Sequence, residues 1–123
     1  MPWLYRSANT IYPFIYLPPK IYEDLENANP SPHPEATLKH EMVHLERQKE
    51  MGLLQYGLKY FLSRKFRYQE ELLATESQMS HLKSLGVTFD VDNRARLLSS
   101  SEYIWCVSYV QAKKDISEIW DRI

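Results

Sequence analysis

The chain has one cysteine, three glycines and no proline beyond Pro34. Each scarcity excludes something. A lone Cys106 makes no internal disulfide and no CxxC pair, which fits a reducing, cytoplasmic setting. In its apolar surroundings it reads as a small core residue rather than a nucleophile. There is no Gly-rich phosphate loop and no internal repeat. No apolar run approaches the length that spans a bilayer. The opening residues, Met1-Pro-Trp-Leu-Tyr-Arg6, lack the apolar stretch of a signal peptide. Neither sign of charge is in excess, with 15 Lys and Arg against 16 Asp and Glu. Neither nucleic acid nor a membrane is therefore expected as a partner.

What is present suits one globular domain spanning residues 1–123. Hydrophobic residues make up 44% and charged residues 25% of the chain, enough for a modest core. All seven prolines fall in the first 34 residues. The chain thus divides into an extended or irregular part and a helical part. Thr10–Leu17 is β-branched and aromatic, which predicts a strand. Pro13 confines it to an edge or a bulge. Trp3–Tyr5 can pair with it. Ile11, Tyr12, Phe14, Ile15 and Tyr16 then form either an edge that takes up an extended peptide or an arm that covers the core. Ile21–Asn27 reads as a helical turn.

The residues with the most chemistry follow. His40-Glu41-Met42-Val43-His44 is an HExxH motif. On a helix, residues four apart share a face, so His40 and His44 can offer two imidazoles to one metal ion. Glu41 lies about 100° round that face, where its carboxylate can act as a base rather than a ligand. The helix is expected from about Pro34 to Met51, with Gly52 as its stop. Lys39, Glu46 and Glu50 mark its solvent side. Leu38, Met42 and Leu45 form one apolar shoulder, and Ala36 and Val43 another, with the histidines between them.

Leu53–Leu62 reads as a second helix, and Ser63–Lys65 as a polar break. Arg67–Leu85 reads as a third helix, closed by Gly86. Its arc of Tyr68, Leu72, Met79, Leu82 and Leu85 carries Glu71 in the middle. Glu70 points elsewhere, toward the side of Ser77 and Ser84. A carboxylate within an apolar arc calls for a bound cation or an ion pair. Val87–Phe89 is a possible short strand. Asp92 or Asn93 is expected to cap a short helix through Leu98, and a last helix to start at Ser101 or Glu102. The stripe of that last helix is Trp105, Tyr109, Ala112, Ile116, Ile119 or Trp120, and Ile123.

Catalytic zinc usually has three protein ligands and one open position. His40, His44 and Glu71 can supply them, with Glu41 as general base and acid. An oxyanion donor is also needed. Tyr68, His81, Tyr103 and Tyr109 are of suitable type, although His81 points to the polar side.

His40-Glu-Met-Val-His44 followed by Glu71-Leu-Leu-Ala74 resembles the gluzincin clan of zinc metallopeptidases. The small size is similar to minigluzincins and to short zincin-like proteins of phages and bacteria, in which HExxHxxxQ precedes a Glu-x-x-Ala helix. Gln48 and Ala74 match that pattern, and the resemblance covers roughly Pro34 to Gln78. It implies an α+β, predominantly helical, minimal zincin-like fold with a short N-terminal strand region and four to five helices. It implies one Zn²⁺ on His40, His44 and Glu71, Glu41 as the base, and a peptide or protein substrate. Many clan members have Asp four residues after the ligand Glu, orienting the first His. Here that position is Thr75, which can bond but brings no charge. Metzincins are excluded by Arg47 and Glu50 in place of their Gly and third His.

Three functions are consistent with these residues. One is a zinc peptidase. The second is a weak or inactive zinc-binding module with a binding or regulatory role. The third is a helical interaction protein. The roughly 35 residues after Gly86 go beyond a minimal core, and Trp105 and Trp120 suggest a tail that covers the cleft.

Overall fold

The computed structural model describes residues 8–123. The pairing expected for Trp3–Tyr5 falls outside them. A two-stranded antiparallel hairpin, β1 (Asn9–Ile11) and β2 (Phe14–Tyr16), pairs Asn9 with Tyr16, Thr10 with Ile15 and Ile11 with Phe14. The single strand expected over Thr10–Leu17 is thus two. Proline cannot donate to a ladder, so the chain turns at Tyr12–Pro13, whose peptide bond is cis. Six helices follow: α1 (Pro19–Leu25), α2 (Pro32–Met51), α3 (Leu53–Leu62), α4 (Arg64–Ser84), α5 (Val91–Leu98) and α6 (Tyr109–Arg122). The chain is α+β and mostly helical.

Helix boundaries follow their caps. Pro32 opens α2, where a missing N–H costs nothing. Gly52 ends α2 and starts α3 at φ 93°, a conformation that side chains resist. The expected break at Ser63–Lys65 is only one residue long. Ser63 accepts from the Phe66 amide and caps α4, so Arg64 and Lys65 are already helical. Asp90, two residues before the expected cap, accepts from the Asn93 amide and starts α5. Val87–Phe89 forms no strand.

The last helix starts later than expected. Ser101–Tyr103 is a single 3₁₀ turn. Ile104 and Trp105 then take left-handed φ values of 56° and 47°, which stops any helix. Helix α6 begins only after Ser108, whose side chain accepts from the Gln111 amide.

Helix α4 is the central element and has two different faces. One packs along α2 and the other against α6, which is paired with α5. Met79, Ala95, Leu98, Ala112 and Ile116 form a fully buried apolar cluster on the second side. The tail therefore belongs to the core. Ile116 and Ala112 sit within that core, while Trp105 is 62% exposed.

The hairpin lies on α2. Gln48 holds it there. Its Nε2 donates to the Thr10 carbonyl at 2.9 Å, and its Oε1 accepts from the Tyr12 amide at 2.7 Å. One side-chain amide thus stands in for a neighbouring strand.

Candidate metal centre

The seam between α2 and α4 is polar. Helix α2 buries His40, Glu41, His44 and Gln48, and α4 buries Arg67, Glu70, Glu71, Thr75 and Gln78. Burying so many polar groups is costly unless each is paired. Their arrangement shows how that cost is met.

His40, His44 and Glu71 converge. They are 4%, 7% and 2% exposed. His40 Nε2 lies 3.3 Å from Glu71 Oε1, and His44 Nε2 lies 3.1 Å from Glu71 Oε2. The two Nε2 atoms are 3.2 Å apart. Ligands of a tetrahedral zinc, bound at 2.0–2.1 Å, stand about 3.3 Å from one another. The three side chains therefore span one face of such a tetrahedron. They form a buried group that can hold a metal ion.

Hydrogen bonds behind the ligands set their tautomers. Arg94 Nη2 donates to Gln78 Oε1 at 2.9 Å. Arginine has no acceptor, so the Gln78 atom facing it is oxygen. His40 Nδ1 lies 3.0 Å from that same oxygen and must donate to it. The Nε2 lone pair of His40 is then free on the metal side. Behind His44, Nδ1 is 3.2 Å from the Tyr56 hydroxyl. Tyr60 donates to Glu71 Oε2 at 2.8 Å. Gln78, Arg94, Tyr56 and Tyr60 were not singled out from the sequence. Gln78 had a signal: it lies seven residues, two helical turns, after Glu71 and so on the same face.

Thr75 does not take the orienting role that the resemblance implied. Its hydroxyl is buried and has no hydrogen-bond partner among the described residues. Gln48, which matches the clan's pattern, spends both atoms of its side-chain amide on the hairpin. Glu70, expected to point away, is buried as well. Arg47 reaches across from α2 to bond it at 2.9 Å and neutralises it.

The electrostatics suit a cation. Burial would raise Glu71, but the charge of His44 and the hydrogen bonds from both histidines hold it well below the usual carboxylate range. Burial lowers His40, and the positive charges of Arg94 and His44 add to that against the pull of Glu71. Burial would lower His44 too, yet the charge and hydrogen bond of Glu71, helped by Glu41, raise it to about 9. Metal and proton compete for this nitrogen.

Glu41 is 5% exposed and faces the hairpin. Thr10 Oγ1 donates to Glu41 Oε2 at 2.6 Å and also lies 3.2 Å from the Glu41 carbonyl. Of the four oxyanion candidates, Tyr103 is the one that feels the charges of the site, and it also packs against the apolar cluster. Burial and the charges of Glu71 and Glu41 raise the Tyr103 phenol, while Arg94 opposes them. Tyr68 donates instead to Asp115 at 2.7 Å, and Tyr109 to Asp92. His81 pairs loosely with Glu35 at 3.9 Å. These three are held elsewhere by partners that hydropathy periodicity does not reveal. A surface hollow of about 420 Å³ opens beside Arg47, Glu70 and Ile119 rather than at the three ligands.

Comparison with protein-family models, curated proteins and solved structures finds no match to this chain. The functional reading rests on the site itself.

Proposed function

We propose that this chain is a zinc-dependent peptidase. The observation that carries the reading is the buried triangle of His40, His44 and Glu71 with Glu41 next to it in the sequence and buried in the same seam. His₂Glu ligation favours zinc among the common divalent ions. Zinc held there would polarise a carbonyl oxygen and lower the pKa of water to about 7. Glu41 accepts the proton of the attacking water and returns it to the leaving amine. The Thr10 hydroxyl holds the Glu41 carboxylate in one orientation. The Tyr103 hydroxyl, with no hydrogen-bond partner among the described residues, is the donor available to the oxyanion. Ile11, Tyr12, Phe14, Ile15 and Tyr16 supply a hairpin whose outer edge can pair with an extended peptide.

A second reading is a metal-stabilised binding module. It is favoured by the near-complete burial of all three ligands and by Thr10 already bonding Glu41. Two measurements separate the readings. Metal content by plasma mass spectrometry should show near-stoichiometric zinc in the tag-free protein and in Glu70→Gln, but not in Glu71→Ala. Hydrolysis of a peptide library should then be lost in Glu41→Gln with zinc retained. Zinc retained but no hydrolysis in the unsubstituted protein would favour the module. No zinc in any form would remove both.

A further inference from the structure

Among the described residues, none covers one whole side of helix α3. Tyr56 and Tyr60 face the metal seam. On the other side Leu54, Leu58, Phe61 and Leu62 are 78%, 54%, 62% and 82% exposed. Their spacing of four, three and one places them on a single face. Soluble domains do not usually leave so many large apolar side chains together in water.

The patch extends beyond the helix. The buried guanidinium of Arg67 donates to the carbonyls of Tyr60 and Phe61 at the end of α3. It also donates to the Tyr103 carbonyl at 2.9 Å, and to that of Ile104 at 3.5 Å. One side chain thus caps α3 and staples it to the turn that follows α5. Ile104 and Trp105, on that turn, are 41% and 62% exposed. Both hold left-handed φ, which a β-branched or bulky residue takes only under constraint. The fold therefore spends backbone strain on a segment that puts an isoleucine and a tryptophan into solvent.

Charge says what the surface meets. No acidic residue occurs between Glu50 and Glu70. The same stretch carries exposed Lys59, Arg64 and Lys65 beside the apolar face. The chain as a whole is nearly neutral, so this local excess is hidden in the total. A leucine, phenylalanine and tryptophan face bordered by basic residues has the character of an interfacial helix. We infer that α3 and the Ile104–Trp105 turn dock on an anionic lipid surface. Leu54, Leu58, Phe61, Leu62 and Trp105 enter the headgroup boundary, and Lys59, Arg64 and Lys65 meet the phosphates. This does not depend on the metal.

The test is co-sedimentation of the full chain with vesicles of phosphatidylcholine alone, and of phosphatidylcholine mixed with phosphatidylserine. Binding is expected to the mixed vesicles, weakening as salt rises. Leu58→Glu with Leu62→Glu should cut it roughly a hundredfold. Arg64→Gln with Lys65→Gln should cut it about thirtyfold. All four side chains are exposed, so circular dichroism and melting should stay unchanged. Absence of binding to the mixed vesicles overturns the proposal, as does equal binding by the leucine variant. Sedimentation analysis covers the competing occupant. A dimer that the leucine substitutions dissociate, without vesicle binding, would show the face to be a contact between copies of this chain.

Discussion

The two faces of α4 are built from opposite materials. Toward α5 and α6 it buries Met79 against Ala95, Leu98, Ala112 and Ile116. Toward α2 it buries Glu70, Glu71 and Gln78 against Arg47, His40 and His44. The apolar face gains free energy with every methylene it hides. The polar face spends it on desolvation, and recovers it only through partners in place. One helix can carry both because the first face anchors it while the second holds chemistry. Stability and function should therefore separate by face.

The largest effects should show that separation. Ile116→Ala opens a cavity in the apolar cluster and should cost about 2–5 kcal/mol in chemical denaturation. The zinc affinity of the protein that remains folded should be unchanged. Glu71→Ala should do the reverse for metal, lowering zinc affinity roughly a thousandfold in a competitive chelator titration. If Ile116→Ala also abolished zinc binding in folded protein, the two faces would be one unit.

Acidity should act on the polar face. Glu71 raises His44 to about 9, so this nitrogen is protonated at neutral pH. Zinc needs its lone pair, so one proton leaves on binding. Apparent zinc affinity should rise about tenfold per pH unit up to about 9 and then level off. A flat profile in calorimetric titration between pH 7 and 9 would show that no proton leaves His44 when zinc binds.

Smaller effects probe the groups behind the ligands. Gln78→Ala frees the His40 ring and should lower zinc affinity about 10- to 100-fold, with secondary structure intact by circular dichroism. Thr75→Val should do nothing to zinc. Its buried hydroxyl has no partner among the described residues, so removing it should raise stability by about 1 kcal/mol. A loss of zinc in Thr75→Val would restore the role the gluzincin resemblance implies for that position.

Much of this was legible in residue order. The spacing of His40 and His44, the inward phase of Glu71 and the solvent side of Lys39, Glu46 and Glu50 all follow from helical period. Gly52 and Gly86 marked their helix ends. The misjudged features share a cause. Helical period turns Glu70 toward the side of Ser77 and Ser84, yet Arg47 of another helix covers it. Tyr68 and Tyr109 were candidates by type, but Asp115 and Asp92 hold their hydroxyls. The last helix was extended back to Ser101 because its apolar stripe continues to Trp105. Backbone φ at Ile104 and Trp105 breaks that helix, and hydropathy carries no record of φ.

By itself the sequence determined the local elements and the chemistry they carry: which stretches coil, where they stop, and which side chains share a face. Those depend on neighbours within two turns, where spacing alone places groups. Only the tertiary structure decided that Gln78 and Arg94 stand behind His40, that Gln48 holds a hairpin, that Arg47 neutralises Glu70, and that the outer side of α3 stays bare. Each joins or separates residues far apart in the chain. Such pairings depend on how whole helices pack, and a one-dimensional pattern carries no term for that.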